Sequence, residues 1–228
     1  MDRDRRGRLA RVSEQEWDER YAASERIWSG RPNEALVDEV ADLAPGRALD
    51  VGCGEGADAV WLAQRGWQVT GLDVSGVALE RGRAWAAEND VDVTWVKSGL
   101  LGADLTPGAF DLVVVMYPPL PRTADSSVER ALAGLVAPGG RLLVVHHAVD
   151  GSGGHGHGHG HGDGHGQGGG DGEHHGPDFS TMIAPESVRP VLSDDWVVEV
   201  DERRERSLAE GAGARHIKDV VLRAQRLG

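Results

Sequence analysis

A glycine-rich turn between a strand and a helix is the most constraining feature of this sequence. It reads Asp-Val-Gly-Cys-Gly-Glu-Gly from Asp50 to Gly56, after the apolar residues 48–49 and before a segment with helical spacing. Glycines let the backbone turn tightly and approach a ligand without interference from a Cβ atom. The N-terminus of the following helix offers N–H groups and a positive dipole, which suit a carboxylate. The turn therefore predicts a ligand-binding loop at the end of a strand.

An acidic residue follows the next predicted strand. Asp73 lies in Gly-Leu-Asp-Val-Ser, 17 residues beyond Gly56, and a carboxylate there can accept hydrogen bonds from both hydroxyls of a ribose. The glycine spacing is G-x-G-x-G, whereas the dinucleotide fingerprint is G-x-G-x-x-G. A dinucleotide-dependent oxidoreductase is therefore the less favoured enzyme. The competing structural interpretation is a plain glycine turn with Asp73 on the surface.

Strands and helices alternate along most of the chain. The predicted strands are 48–51, 68–72, 91–96, 110–116, 141–145, 196–200 and 217–224. The predicted helices are 14–27, 34–43, 56–65, 75–88, 126–136 and one that begins at 185. This alternation implies right-handed βαβ crossovers in an α/β fold with a doubly wound, mostly parallel seven-stranded sheet. The last two strands are expected to form an antiparallel C-terminal hairpin around one short loop.

Three local patterns refine these elements. The nearly continuous apolar run from Phe110 to Met116 is typical of a parallel strand buried on both faces. Asn33 is expected to cap the second helix. Ser126 and Glu129 have the spacing of a capping box at the start of the fifth helix.

The motifs resemble those of a known family. The string from Asp50 to Gly56, followed by Gly-Leu-Asp-Val-Ser, resembles motif I and the following acid of class I S-adenosylmethionine-dependent methyltransferases. Residues 110–114 and 135–142 resemble the fourth-strand motif of that family and the turn into its fifth strand. The resemblance implies a Rossmann-like sheet, S-adenosylmethionine as cofactor, and methyl transfer by in-line displacement.

The N-terminal segment resembles one branch of this family. Trp17-Asp18-Glu19-Arg20-Tyr21 with Trp28 is similar to the small-molecule branch that includes tellurite-resistance and thiopurine methyltransferases. In that branch the N-terminal segment folds over the cofactor. Tyr21 and Trp28 are therefore expected either to close the site or to pack in the core, and the acceptor is expected to be a small molecule.

The resemblance also implies which residues bind the cofactor. They are Asp50, Gly52, Cys53, Gly54, Gly56, Asp73, Val74, Leu100 and Trp28. One departure concerns the adenine, because many relatives carry an acidic residue after the third strand, where this chain has Lys97-Ser98-Gly99-Leu100. Backbone groups and Leu100 are expected to hold the adenine instead.

Candidate catalytic residues follow the fourth and fifth strands, at the edge where open α/β sheets bind ligands. Methyl transfer from a sulfonium mainly requires alignment of nucleophile, methyl and sulfur, and needs a base only when the nucleophile carries a proton. Tyr117 is predicted to line the acceptor pocket. His146 is the candidate base, and His147 is the alternative. For either histidine, the competing role is a structural hydrogen bond at the end of the strand.

A glycine- and histidine-rich insertion, residues 151–177, interrupts the pattern after the fifth strand. It contains His155, His157, His159 and His161 in alternation with glycine, cannot bury a core, and is expected to be disordered without a ligand. Imidazoles bind zinc, nickel and copper, although no structural zinc spacing is present. One hypothesis is that these four histidines bind a divalent transition metal and that the insertion is a lid or metal sensor. The other is that the insertion is a low-complexity loop whose affinity for metal is incidental. A metal-binding protein on a methyltransferase-like fold is the alternative function.

Composition limits the partners. The net charge of −13 argues against nucleic acid, which requires a dense cationic surface. Cys53 is the only cysteine. Residues 1–16 form a polar arm, of which residues 1–11 are charged and lack the apolar core of a secretory signal. No apolar run approaches the roughly 20 residues that span a bilayer. We expect one domain, residues 1–228, in a cytoplasmic monomer or homodimer with a small-molecule acceptor and no nucleic-acid or membrane partner.

Overall fold

A seven-stranded sheet organises the computed structural model, which describes residues 13–24, 27–148, 181–205 and 218–228. The strands are β1 (Arg47–Val51), β2 (Gln68–Asp73), β3 (Val93–Lys97), β4 (Phe110–Met116), β5 (Val136–His147), β6 (Trp196–Glu205) and β7 (Lys218–Arg226). Their order is β3-β2-β1-β4-β5-β7-β6, parallel from β1 to β5, with β7 antiparallel to both β5 and β6. The predicted Rossmann-like sheet with its antiparallel C-terminal pair is confirmed.

Helices cover both faces of the sheet. They are α1 (Glu14–Ala22), α2 (Glu34–Val40), α3 (Ala57–Ala63), α4 (Gly76–Glu88), α5 (Ser127–Leu135) and α6 (Pro185–Val188), with short 3₁₀ turns at Leu100–Gly102 and Arg189–Val191. Alternate residues of β4 and β5 belong to two separate apolar clusters, because successive side chains of a strand point to opposite faces. One cluster packs against α5 and α6, and the other against α2 and α3. The central strands are therefore buried on both sides, as the apolar run predicted.

Two capping predictions are wrong, for local reasons. Ser126 has a left-handed φ of 53° and makes no side-chain cap; the N–H of Ser127 instead donates to Thr123 Oγ1 at 2.9 Å. Asn33 does stand at the N-cap of α2, but its side chain does not cap that helix. Its Nδ2 donates to Asp58 Oδ2 at 2.6 Å, so it links the start of α2 to α3.

Element boundaries differ most from the prediction at the first helix and at β5. The first helix ends at Ala22 rather than at residue 27, since the chain then turns back towards the glycine loop. Strand β5 is longer than the predicted 141–145 and continues to His147, where it pairs with Asp219 of β7. The loop predicted between β6 and β7 lies outside the described residues. Within the described ranges, no helix is both long and apolar enough to cross a bilayer.

Candidate active site

The glycine loop between β1 and α3 is held against the end of β2 by its own backbone. The N–H groups of Gly52 and Cys53 donate to Leu72 O at 2.8 and 3.1 Å. Gly52 and Gly54 have left-handed φ values of 72° and 51°, a region that favours glycine. A Cβ at Gly54 would lie 2.9 Å from Tyr21 Oη, so a side chain there would collide with a residue of the N-terminal segment.

Asp73 lies at the end of β2, next to the loop. Its Oδ2 accepts a hydrogen bond from Gly54 N at 2.9 Å, and its Oδ1 accepts one from Ser75 N at 2.8 Å. Burial raises the pKa of Asp73, although the N–H donors of Ser75 and Gly54 oppose that rise. Each carboxylate oxygen has a second lone pair. The same side chain can therefore fix the loop and accept ribose hydroxyls, as the sequence predicts.

The N-terminal helix α1 is attached to the start of α4, beside Asp73. Asp18 Oδ1 accepts hydrogen bonds from Ser75 Oγ at 2.6 Å and from Val77 N at 3.2 Å. The bond from the Ser75 hydroxyl lowers the pKa of Asp18. This contact places α1 over the carboxyl ends of the first strands.

Tyr21 and Trp28 cover the loop as a hydrogen-bonded pair. Trp28 Nε1 donates to Tyr21 Oη at 3.0 Å, and the Cβ position of Gly54 lies 3.4 Å from that same nitrogen. Tyr21 is buried and packs with Trp17 and Ala78, whereas Trp28 is 37% exposed. Burial raises the pKa of Tyr21, so the hydroxyl is neutral at physiological pH. Tyr21 thus packs with the core and also lies against the glycine loop.

Glu55 and Arg81 form an ion pair, here called the cover clamp, that attaches Tyr21, Ile27 and Trp28 to the glycine loop. Sequence reasoning missed this pair. Glu55 Oε2 accepts hydrogen bonds from the N–H groups of Ile27 and Trp28, both at 3.2 Å. Glu55 Oε1 lies 2.7 Å from Arg81 Nη1, and Arg81 Nη2 donates to Tyr21 O at 2.7 Å. The lone glutamate inside the glycine string was the only available signal for this clamp. Nothing in the sequence pointed to Arg81.

Gly56 has a packing role that is separate from any ligand. With φ at 83° it is the N-cap of α3, and a Cβ there would lie 2.5 Å from the Trp95 ring. Gly71 and Gly82 approach the same ring, with Cβ positions 2.9 and 2.7 Å away. Trp95 therefore packs among three glycines, which explains why the predicted cofactor residue Gly56 needs to be glycine.

Asp50 lies beneath the loop and faces α3. It is only 2% exposed, and it accepts a hydrogen bond from Ala59 N in the first turn of that helix. Burial raises the pKa of Asp50 well above its usual range, and the nearby charges of Asp58 and Asp73 add to the rise. Asp50 therefore occupies one of the N–H groups at the start of α3 that the sequence analysis assigned to a ligand carboxylate. Within the described part of the chain its Oδ2 has no hydrogen-bond partner.

The remaining predicted cofactor residues lie close to the loop and to the ends of β2 and β3. Leu100 is buried in the 3₁₀ turn after β3, and Val74 Cγ1 lies 3.9 Å from the Cβ position of Gly99. Cys53 Sγ lies 3.0 Å from the Cβ position of Gly71, and burial raises the pKa of its thiol well above the usual range. These side chains provide an apolar, neutral wall beside the carboxylate of Asp73.

Three side chains form a strand-end cluster beyond β4 and β5: Tyr117, His147 and Asp219. Tyr117 Oη donates to Asp219 Oδ2 at 2.6 Å, and its ring stacks on His147 with centroids 4.5 Å apart. His147 Nδ1 lies 3.6 Å from Asp219 Oδ1. Pro118 Cβ lies 3.5 Å from the Cβ position of Gly52, which connects this cluster to the glycine loop.

His146 lies apart from this cluster although it is adjacent in sequence. It is 1% exposed, and its ring meets the His147 ring edge-on at 5.7 Å. Its Nδ1 is 3.5 Å from His147 O. Of the two candidate bases, only His147 shares the stacked arrangement with Tyr117. Asp219 carried no sequence signal, because only the β5–β7 register reveals its position.

The predicted metal ligands His155, His157, His159 and His161 lie outside the described residues. Among the residues that the structure does describe, no group of three or more histidine, cysteine, aspartate or glutamate side chains is placed to hold a metal ion.

Residues 48–140 match the protein family described as "Methyltransferase domain". This range begins in β1, ends within β5, and contains both the glycine loop and Asp73. Over these residues the chain matches a methyltransferase domain, and the resemblance that the sequence motifs predicted is confirmed there.

The curated relatives match only part of this chain. The ubiquinone biosynthesis O-methyltransferase of Chromobacterium violaceum is 40% identical over 108 residues, which is 46% of each chain. An uncharacterised methyltransferase of Mycobacterium bovis is 35% identical over 113 residues, 49% of this chain and 56% of the relative. The chain thus spans about half the length of the curated relatives that it matches.

A solved structure shares the fold over nearly the whole chain. TehB from Haemophilus influenzae has a TM-score of 0.56 at 15% identity, with 94% of this chain and 67% of TehB covered. At that identity the likeness shows the fold alone.

Proposed function

We propose that this methyltransferase transfers the methyl group of S-adenosylmethionine to a small-molecule acceptor by in-line displacement. One observation carries the proposal: Asp73 holds the Gly54 N–H directly beneath the cover formed by Tyr21 and Trp28. A carboxylate fixed beside a glycine loop, with an aromatic cover above it, would suit the ribose of S-adenosylmethionine.

The chain's own residues divide the work of holding the cofactor. We assign the ribose hydroxyls to Asp73, and the adenine to Val74, Leu100 and the backbone near Gly99. The residues assigned to the amino-acid end and to the cover are Asp50, Gly52, Cys53, Gly54 and Trp28. When bound, S-adenosylmethionine supplies a methyl group that is already activated. The protein therefore has to orient the acceptor and exclude water, which preorganised contacts accomplish by proximity.

Two features support a small acceptor. The clamp of Glu55 and Arg81 attaches residues 27–28 to the glycine loop, which limits the space above it. The net charge of −13 disfavours a polyanionic acceptor. The function that the name of the Chromobacterium violaceum relative states, an O-methylation in ubiquinone biosynthesis, agrees with this choice.

The test is formation of S-adenosylhomocysteine from S-adenosylmethionine, measured by mass spectrometry with separate panels of phenols, thiols, amines, DNA and RNA. Turnover is expected with a small molecule and with neither nucleic acid. Asp73→Asn should reduce kcat/KM at least tenfold, because hydrogen bonds to a charged acceptor contribute about 1.5–3 kcal/mol. Asp92→Asn is the matched control, since Asp92 is exposed at the opposite edge of the sheet. Methylation of a nucleic acid and of no small molecule would contradict the proposal.

A further inference from the structure

Glu129 is a buried carboxylate outside both the glycine loop and the strand-end cluster. It lies in the first turn of α5 and is only 2% exposed. Its Oε2 is enclosed without a hydrogen-bond partner, and neither of its oxygens forms a hydrogen bond or an ion pair with a residue of the described ranges. The N–H of Ser126, which a capping box would direct at Glu129, donates instead to Thr123 O at 3.0 Å. Glu129 is therefore an acid without a counter-charge in the described part of the chain.

The other buried glutamates of the described residues are paired with arginine. Glu39 on α2 is 4% exposed and forms an ion pair with Arg204. Glu55 in the glycine loop is 5% exposed and lies 2.7 Å from Arg81 Nη1. Charged side chains are almost never fully buried unless they are paired, because an uncompensated charge loses its hydration. Glu129 is the exception to a rule that the rest of this fold follows.

The surroundings of Glu129 on α5 are apolar. The buried residues that share this helix with it include Val128, Leu132 and Leu135, which belong to the apolar cluster that also contains Leu100. The helix N-terminus favours a negative charge in the first turn, but a polar group buried without a hydrogen bond still costs stability. An acid here is therefore less favourable for folding than an apolar side chain would be. Residues that reduce stability in this way are typical of binding sites.

The position of Glu129 in the fold is at the ligand-binding edge of the sheet. Helix α5 follows the carboxyl end of β4, so its first turn lies at the edge where open α/β sheets bind ligands. Pro118, in the connection between β4 and α5, lies 3.5 Å from the Cβ position of Gly52. Leu100, to which we assign the adenine, shares an apolar cluster with Val128, the neighbour of Glu129. The carboxylate is thus placed at the same edge as the proposed cofactor site.

We propose that Glu129 binds an ammonium group of the methyl acceptor, and that the acceptor is a small amino compound with a second heteroatom that takes the methyl. The inference rests on the proposed function and names the substrate class of that same site. An ammonium supplies both the missing positive charge and several N–H donors, whereas a neutral hydroxyl would leave the charge uncompensated. The net charge of −13 also attracts cations to this protein.

The ammonium anchors the acceptor and is not itself the nucleophile. A nitrogen that keeps its proton in an ion pair has no lone pair with which to attack the methyl carbon. The second heteroatom of the same compound is therefore the one that attacks, and Glu129 fixes its orientation by holding the other end of the molecule. Such anchoring through a remote group lowers the barrier by proximity, so Glu129 is a binding residue rather than an acid or base.

The experiment compares two pairs of small molecules, in each of which an ammonium replaces a hydroxyl: tyramine with tyrosol, and cysteamine with 2-mercaptoethanol. Each compound is titrated calorimetrically into the full-length protein saturated with S-adenosylhomocysteine. The wild type should bind the ammonium member of at least one pair about tenfold or more tightly, because hydrogen bonds to charged groups are strong. Glu129→Gln should bind both members of that pair equally. The control Glu186→Gln, an exposed glutamate of α6, should keep the wild-type preference.

Urea denaturation distinguishes a binding role from a structural one. Glu129→Gln should unfold at the same urea concentration as the wild type or at a higher one, because the amide removes an uncompensated charge. Glu39→Gln, which weakens ion pairs with Arg204 and Arg223, should unfold at a lower one. A clear loss of stability in Glu129→Gln would mean that this side chain supports the fold, and it would overturn the proposal.

Cofactor binding separates the remaining failures. Wild-type protein that binds S-adenosylhomocysteine but shows no preference in either pair would overturn the role of Glu129 and leave the proposed cofactor site in place. A preference that survives in Glu129→Gln would have the same consequence. Absence of S-adenosylhomocysteine binding by the wild type would overturn the proposed function itself.

Discussion

The glycine loop and the strand-end cluster reach the same edge of the sheet by different routes. The groups proposed to bind the cofactor come from one short stretch, Asp50 to Gly56, and from Asp73 one strand later. The cluster joins Tyr117 to Asp219, which are 102 residues apart in the chain. A local motif encodes backbone conformations that glycine allows, whereas a distant pair depends on strand register that no local pattern records.

The two regions also differ in what holds them. Around the loop, glycines leave room for the rings of Trp95 and Tyr21, so packing and ligand binding share the same residues. At the strand ends, a backbone ladder sets the positions and one carboxylate connects the side chains. Substitutions near the loop should therefore change stability and cofactor affinity together. Substitutions in the cluster should leave cofactor affinity intact.

Gly56→Ala should give the largest loss of stability. The new Cβ would lie 2.5 Å from Trp95 at a φ of 83°, so overpacking and backbone strain act together and cost about 3 kcal/mol of unfolding free energy. Urea denaturation measures the loss. Gly134→Ala is the control, because no atom lies within 4 Å of its Cβ position in α5. Equal stability of the two variants would contradict the packing role of Gly56.

Arg81→Met should have the next largest effect, because it releases the cover formed by Tyr21 and Trp28 from the glycine loop. Its guanidinium lies 2.7 Å from Glu55 Oε1 and donates to Tyr21 O, so its loss should weaken S-adenosylhomocysteine binding by about 2 kcal/mol, or about thirtyfold. Calorimetric titration measures this change. Arg83→Met, an exposed position on the same helix, should bind normally. Unchanged affinity in Arg81→Met would show that the cover does not contribute to cofactor binding.

Tyr117→Phe tests the cluster's independence from the loop. The variant loses the 2.6 Å hydrogen bond to Asp219, so it should lower unfolding free energy by about 1.5 kcal/mol while S-adenosylhomocysteine affinity stays within about twofold of the wild type. Denaturation and calorimetry on the same sample report the two quantities. A large fall in affinity would mean that the two regions form one coupled site.

Asp50→Asn should have the smallest effect, visible in the pH dependence of stability. Because the folded-state pKa of Asp50 is raised, its contribution to stability is complete below the ordinary aspartate range and is lost as pH rises through the raised pKa. The amide carries no charge and keeps an oxygen for the Ala59 N–H, so the decline in unfolding free energy from acid towards neutral pH should be shallower. Asp104→Asn, which is exposed, should keep the wild-type slope.

The sequence predicted the elements whose signal is local. The parallel order of βα units, the loop at Asp50 to Gly56 and the acid at Asp73 all follow from residue type and spacing. The capping box at Ser126 failed because Thr123 and Asp125 bind the helix N-terminus instead. Arg81 and Asp219 could not be predicted, since each acts on residues more than 25 positions away that only tertiary packing and strand pairing bring near.

Calorimetric titration of the full-length protein with S-adenosylhomocysteine, in the wild type and in Asp73→Asn, tests the central claim most directly. The account predicts saturable binding by the wild type. In the variant it predicts at least tenfold weaker binding, because the amide offers one acceptor oxygen in place of two for Gly54, Ser75 and the ribose. Wild-type protein that does not bind, or a variant that binds equally well, would contradict the assignment of the loop and Asp73 as the cofactor site.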